Sequence, residues 1–115
     1  MQQVIEAGNK IAKLPYRFGG GHATFVDTAY DCSGSLSYAL AAARLVGATM
    51  DSTTLSRWGD AGPGRWITVY SNPGHTFMMI AGVRFDTSSR GVGGSRWTNA
   101  SRSTAGFVAR HPPGL

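Results

Sequence analysis

Cysteine occurs once in this chain, at Cys32, so no intramolecular disulfide holds the fold together. Long apolar runs are also missing. The most apolar stretches, such as residues 77–81, fall far short of the ~20 residues a transmembrane helix requires. No basic segment precedes an apolar run at the N-terminus, so no signal peptide is read; the residues are expected to be a cytoplasmic protein, a processed form or a domain of a longer chain. Acidic residues are scarce, six against eleven basic ones, which leaves a net charge of +5. That balance favours anionic partners. Nine of the eleven basic residues are arginine, yet they scatter from position 17 to position 110 without forming a basic run. The charge is therefore an overall bias and not a binding motif. Internal repeats and long linkers are absent as well.

What is present is a globular composition, 42% hydrophobic and 15% charged, in 115 residues. That is the length of one domain, 1–115, with a single core. Glycine is abundant at 16 residues, about twice the usual ~7%, and has no three-residue period, which excludes collagen and implies tight turns and close backbone approaches.

Val4, Ile5, Gly8, Ile11 and Ala12 recur at helical spacing, which predicts an amphipathic helix over 2–13, ended by Pro15. Residues 15–22 form a glycine-rich loop. Asp31 is a good N-cap for a second helix over 32–46, stopped by Gly47; Asp51 or Ser52 caps a short third helix reaching Trp58. Strand-like runs follow at 66–70, 76–81, 84–87 and 107–110, separated by turn signals at 72–74 and Gly82, while 90–103 reads as a surface loop. Helices first and a strand meander second predict an α+β domain.

The most informative point is the helix start at Asp31, Cys32, Ser33 and Gly34. It puts the only thiol in the first turn of a helix, where unsatisfied N–H groups and the helix dipole favour the thiolate, the nucleophilic form. Gly34 is read as clearing space beside the sulfur for a substrate backbone. By position alone, an inert buried thiol competes evenly with this reading. A nucleophile needs a base, and the chain offers His22, His75 and His111. His22 lies in the glycine loop and His111 just before Pro112 and Pro113. His75 follows a turn and opens a strand, which favours it.

A third group orients the base. If the next turn is Ala81 and Gly82, Asp86 falls opposite Phe77, on the face of His75 and one same-face step along. A turn at Gly82 and Val83 would move it opposite Met79, out of reach, and a three-residue turn would put it on the other face. Ser88, Asn72 and His111 remain alternatives. Cys32 and the three histidines offer no short ligand spacing, so neither a metal site nor a cofactor is expected.

These residues resemble a known family. Leu14, Pro15, Tyr16, Arg17, Phe18, Gly19 and Gly20, then Tyr30, Asp31, Cys32, Ser33 and Gly34, then Gly74 and His75 opening an apolar strand, resemble the NlpC-type cysteine peptidases of bacterial cell walls. The similarity spans roughly residues 14–86. It implies a compact papain-like domain, N-terminal helices packed on an antiparallel β-sheet, that acts outside the cell or in its envelope. It implies cleavage of amide bonds in peptidoglycan stem peptides, often between γ-linked D-glutamate and a diamino acid. Cys32 matches the nucleophile and His75 the base. Tyr16 matches a tyrosine beside the nucleophile that helps hold substrate or oxyanion, and Asp31 and Ser33 match residues that bind the substrate's amine end. The family usually has a histidine about a dozen residues after the base, where this chain has Asp86, eleven residues after His75. Phe18 stands where tryptophan is common.

A monomer with no nucleic-acid partner and no membrane span is expected. Arg57, Arg65, Arg84, Arg90, Arg96 and Arg102 are candidates for biasing the domain toward acidic wall polymers, although a soluble arginine-rich surface accounts for most of them. Trp58, Trp66 and Trp97 are candidates to line a groove, with core packing the better reading of the first two. Two rivals stay open: another acyl-transfer enzyme on the same fold, such as an amidase, esterase or transferase, and a non-catalytic module that binds an anionic polymer.

Overall fold

A computed structural model describes residues 1–89 and 94–115. Helix α1, Gln2–Ile11, is amphipathic and buries Val4, Ala7, Gly8 and Ile11. Helix α2, Cys32–Ala42, is capped by the Asp31 carboxylate, which accepts a hydrogen bond from the Gly34 N–H at 2.8 Å. It is buried nearly all round, so its small residues let two layers close on it. Helix α3, Ser52–Leu55, is capped by Asp51 through the Thr54 N–H.

The strands are β1 (Asp60–Ala61), β2 (Ile67–Asn72), β3 (His75–Ile80), β4 (Val83–Phe85), β5 (Trp97–Thr98) and β6 (Val108–His111). They form one antiparallel sheet in the order β1-β6-β2-β3-β4-β5. Ile67, Val69, Met78, Ile80 and Phe85 point to one face and meet Val4, Ile11, Leu36 and Leu40 of the helices in the hydrophobic core. The alternate residues Tyr70, Phe77 and Met79 occupy the other face, where Phe107 packs edge-on against Phe77. The α+β class expected from the order of elements is the class observed. Among the described residues, no helix is long and apolar enough to cross a membrane.

Several boundaries differ from the sequence expectation. Helix α2 stops at Ala42, not Val46, because the chain turns at Arg44, whose φ is +59°; Gly47 is not the stop. Helix α3 ends three residues before Trp58. The short strands β1 and β5 were not expected. β5 lies in the supposed surface loop, where Phe85 pairs with Trp97 and their rings pack at 4.7 Å. Strands of two residues carry no readable alternation. The expectation for 90–93 lies outside the described residues.

Three side-chain expectations are corrected. Trp66 is exposed beneath Arg65 and is not a core residue. Trp97 packs against Phe85 and over Gly8 and lines no groove with the other tryptophans. Arg96 is fully buried and cannot serve as a surface charge. Its guanidinium donates to the carbonyls of Ile11, Leu14, Pro15 and Tyr30 and to the Ser35 hydroxyl. Its backbone N–H donates to Ala12 and its carbonyl accepts from the Asp86 N–H, each at 2.8 Å. One residue thus joins the end of α1, the segment before α2 and the edge of the sheet.

Replacing Arg96 by methionine strands these acceptors in the interior, where each unpaired group costs about 1–3 kcal/mol. Arg96→Met is expected to lower unfolding free energy by roughly 3–5 kcal/mol in urea titrations. Arg96→Lys should recover only part of this, because an ammonium has three donors and no planar fork.

Candidate active site

The site is assembled by three short segments. The first is the glycine loop before α2. The Tyr30 N–H donates to the Pro15 carbonyl, and the Asp31 N–H donates to that of Gly20. Arg17 clamps Asp27 with both carboxylate oxygens at 2.8 Å, and the Gly21 N–H donates to the same carboxylate. The loop lies directly on the start of α2: a Cβ at Gly34 would collide with the Gly20 carbonyl. This corrects the expectation for Gly34. The room made by the missing side chain is filled by the chain's own loop and not left for a substrate.

The second segment is the helix start. Cys32 is partly exposed at the first residue of α2. Among the described residues, its backbone N–H has no acceptor. Asp31, nearly buried, is fully engaged: Oδ1 meets the Gly34 N–H, His22 Nε2 at 2.8 Å and the Ser33 hydroxyl, while Oδ2 accepts from the Gly19 N–H. Tyr16, His22, Asp31, Cys32 and Ser33 line one cleft of about 340 Å³, with Asp51, Ser52, Pro73 and Gly74 opposite. Burial first, then the negative charges of Cys32 and Asp31, raises the Tyr16 phenol above its ordinary value of 10.0, so the hydroxyl stays a donor.

The third segment is the β2–β3–β4 meander. Asn72 Oδ1 accepts from the Gly74 and His75 N–H groups and closes the first turn. Ile80 pairs with Val83, so the second turn is Ala81 and Gly82, with φ of +50° and +85°. Both angles positive is the pattern of the tight turn that suits strand twist. Of the registers considered, this is the one that carries Asp86 to His75. His75 Nε2 lies 2.9 Å from Asp86 Oδ1. Nδ1 is thereby left without a partner among the described residues, and Cys32 is near enough to act on the imidazole's charge.

Asp86 is completely buried and saturated. Oδ1 also accepts from the backbone and side chain of Ser88, at 2.9 and 2.8 Å, and Oδ2 from Arg102 at 2.7 Å. Burial pushes this carboxyl up, but the hydrogen bonds from His75, Ser88 and Arg102 outweigh it and hold it well below the usual 3.8. Burial likewise pushes His75 down, and the Asp86 hydrogen bond and the charges of Asp86 and Cys32 overcome it, raising the imidazole from 6.5 to about 9. A proton shared by this pair therefore resides on His75 near neutral pH.

The structure brings together Cys32, His75 and Asp86, and places Tyr16, Asp31 and Ser33 beside the first of them. The alternatives for the third group fall away. Ser88 holds Asp86, Asn72 is spent on a turn, and His111 Nδ1 is bonded to the Gly62 carbonyl. Two residues were missed. His22 was set aside as a loop residue, yet it is tied to Asp31 and faces the cleft. Arg102 was read as a surface charge, yet it completes the Asp86 shell. Neither has a local signal, since each meets its partner through a loop of no period. No family model, curated protein or solved structure matches this chain.

Two titrations follow. The His75 ring, observed by NMR, should lose its proton near pH 9, and Asp86→Asn should lower that midpoint because burial then acts with less opposition. Thermal stability should be greatest between pH 3.8 and 6.5 as far as these groups set it. The His75 contribution is complete below 6.5 and lost as pH rises toward about 9; that of Asp86 is present above 3.8 and lost below it. His75→Asn should remove the alkaline decline in melting temperature.

Proposed function

We propose that this chain is a cysteine peptidase of the NlpC type, with the papain-like arrangement of that family, hydrolysing amide bonds in peptidoglycan stem peptides. The observation that carries the reading is the 2.9 Å contact of His75 Nε2 with the buried Asp86 carboxylate, beside a partly exposed thiol at the start of α2. A helix-start thiol, a base raised to about 9 and a buried carboxylate behind it form a relay suited to acyl transfer.

In this mechanism Cys32 Sγ attacks the scissile carbonyl. The unpaired backbone N–H of Cys32 and the Tyr16 hydroxyl stabilise the oxyanion. Imidazolium His75 passes the Nδ1 proton to the leaving amine, and the thioester forms. Neutral His75 then takes a proton from water, which attacks the thioester; the intermediate expels the Cys32 thiolate, and His75 keeps the proton, so the starting pair is restored. Asp86 keeps Nε2 protonated and Nδ1 directed at the sulfur. Asp31 and Ser33 carry over as the contacts for the substrate's amine end. The protein would act as a monomer, outside the cell or in its envelope, without metal or cofactor.

Digestion of purified peptidoglycan followed by mass spectrometry tests the reading. The expected products are muropeptides with new amino groups within the stem, and Cys32→Ala should release none. Whole stem peptides freed from the sugar would indicate an amidase, and salt-sensitive binding that survives Cys32→Ala without any product would indicate a polymer-binding module. Tyr16→Phe is expected to lower kcat by about 10²-fold with little change in KM.

A further inference from the structure

Behind Asp86, on the sheet face away from the helices, lies a second pocket of about 340 Å³ that the proposed mechanism does not use. Its wall is built from Tyr70, Phe77 and Met79 of the sheet, from Arg84, and from Asn99, Ser101 and Arg102 of the segment that crosses over it. Arg84 is only 9% exposed. Among the described residues its side chain makes no hydrogen bond, and its buried Nε has only an ion-pair contact. That contact, to Asp86 Oδ2 at 3.4 Å, is not a hydrogen bond, and the same oxygen accepts from Arg102 at 2.7 Å. A guanidinium N–H left without a hydrogen bond in the interior is costly.

The charges point the same way. Arg84 and Arg102 bring two positive charges to one carboxylate, and protonated His75 adds a third. Arg102 bonds Asp86 and Ser88 with Nη1 alone, so its other nitrogens remain for a further acceptor. Its guanidinium carbon lies over the Phe77 and Phe107 rings, 5.1 and 5.5 Å from their centres, which restrains its position.

We propose that this pocket binds an oxyanion, the carboxylate or phosphate of a small molecule or chain end, held between Arg84 and Arg102. Paired guanidinium groups match the geometry of either anion. Asn99 and Ser101 supply further polar contacts at the mouth, and Tyr70, Phe77 and Met79 accommodate the carbon portion of the ligand. The site is independent of the peptidase reading, since it rests on the arginines and not on Cys32.

The test uses inorganic phosphate and acetate as separate probes, followed by backbone amide shifts of the whole protein. Saturable shifts are expected at residues 82–86 and 98–102, with the tighter probe identifying the anion class. Arg84→Met should weaken binding at least tenfold, and Arg65→Ala on the exposed surface should leave it unchanged. Should Arg84→Met not fold, Ser101→Glu serves instead: it places a carboxylate at the exposed mouth without touching either arginine, and should likewise abolish saturation. Shifts that never saturate, or that persist equally in Arg84→Met or Ser101→Glu, overturn the proposal.

Discussion

The buried guanidinium of Arg96 is the interaction on which the rest depends. It gathers carbonyls from the end of α1 and from the chain before α2, while its own backbone holds Asp86 through the Asp86 N–H. Cys32 and Asp86 belong to segments more than fifty residues apart, and this one residue, through its side chain and its backbone, reaches both neighbourhoods at once. A hydrophobic residue of similar size would fill the space but satisfy none of the carbonyls. The fold thus spends one of its basic residues on positioning, which is why the net charge overstates what the surface presents.

The other arginines sort by environment and not by sequence position. Arg17 orders the glycine loop through Asp27, Arg102 completes the shell of Asp86, and Arg110 donates to the carbonyls of Trp58 and Gly59. Arg57 and Arg65 remain exposed. An arginine-rich composition therefore reports in large part on internal hydrogen bonding to backbone carbonyls and carboxylates. It is a weak guide to an acidic polymer, and Arg90 lies outside the described residues.

Much of the site was legible because its signals are local. Asp31 announces the helix that presents Cys32, since a carboxylate one residue before a helix satisfies an orphan N–H. Asn72, Pro73 and Gly74 announce the turn that begins the strand of His75. Asp86 was reachable only conditionally: strand alternation put it on the correct face for one turn length, and the choice of turn lies with Ala81, a residue that seldom adopts positive φ. Gly34 was misread because a missing side chain shows that something comes close without showing what.

By itself, then, the sequence determined the order of the helices and the four longer strands, the caps, and the identities of a thiol, an imidazole and a carboxylate suited to acyl transfer. These follow from interactions within a few residues. Only the tertiary structure decided which histidine and which carboxylate meet, that His22 and Arg102 join the site, and that Arg84 and Arg96 are interior charges. Those outcomes depend on strand register and on long-range burial. A shift of one residue at a turn reverses every facing, and a buried guanidinium is defined by acceptors gathered from distant segments.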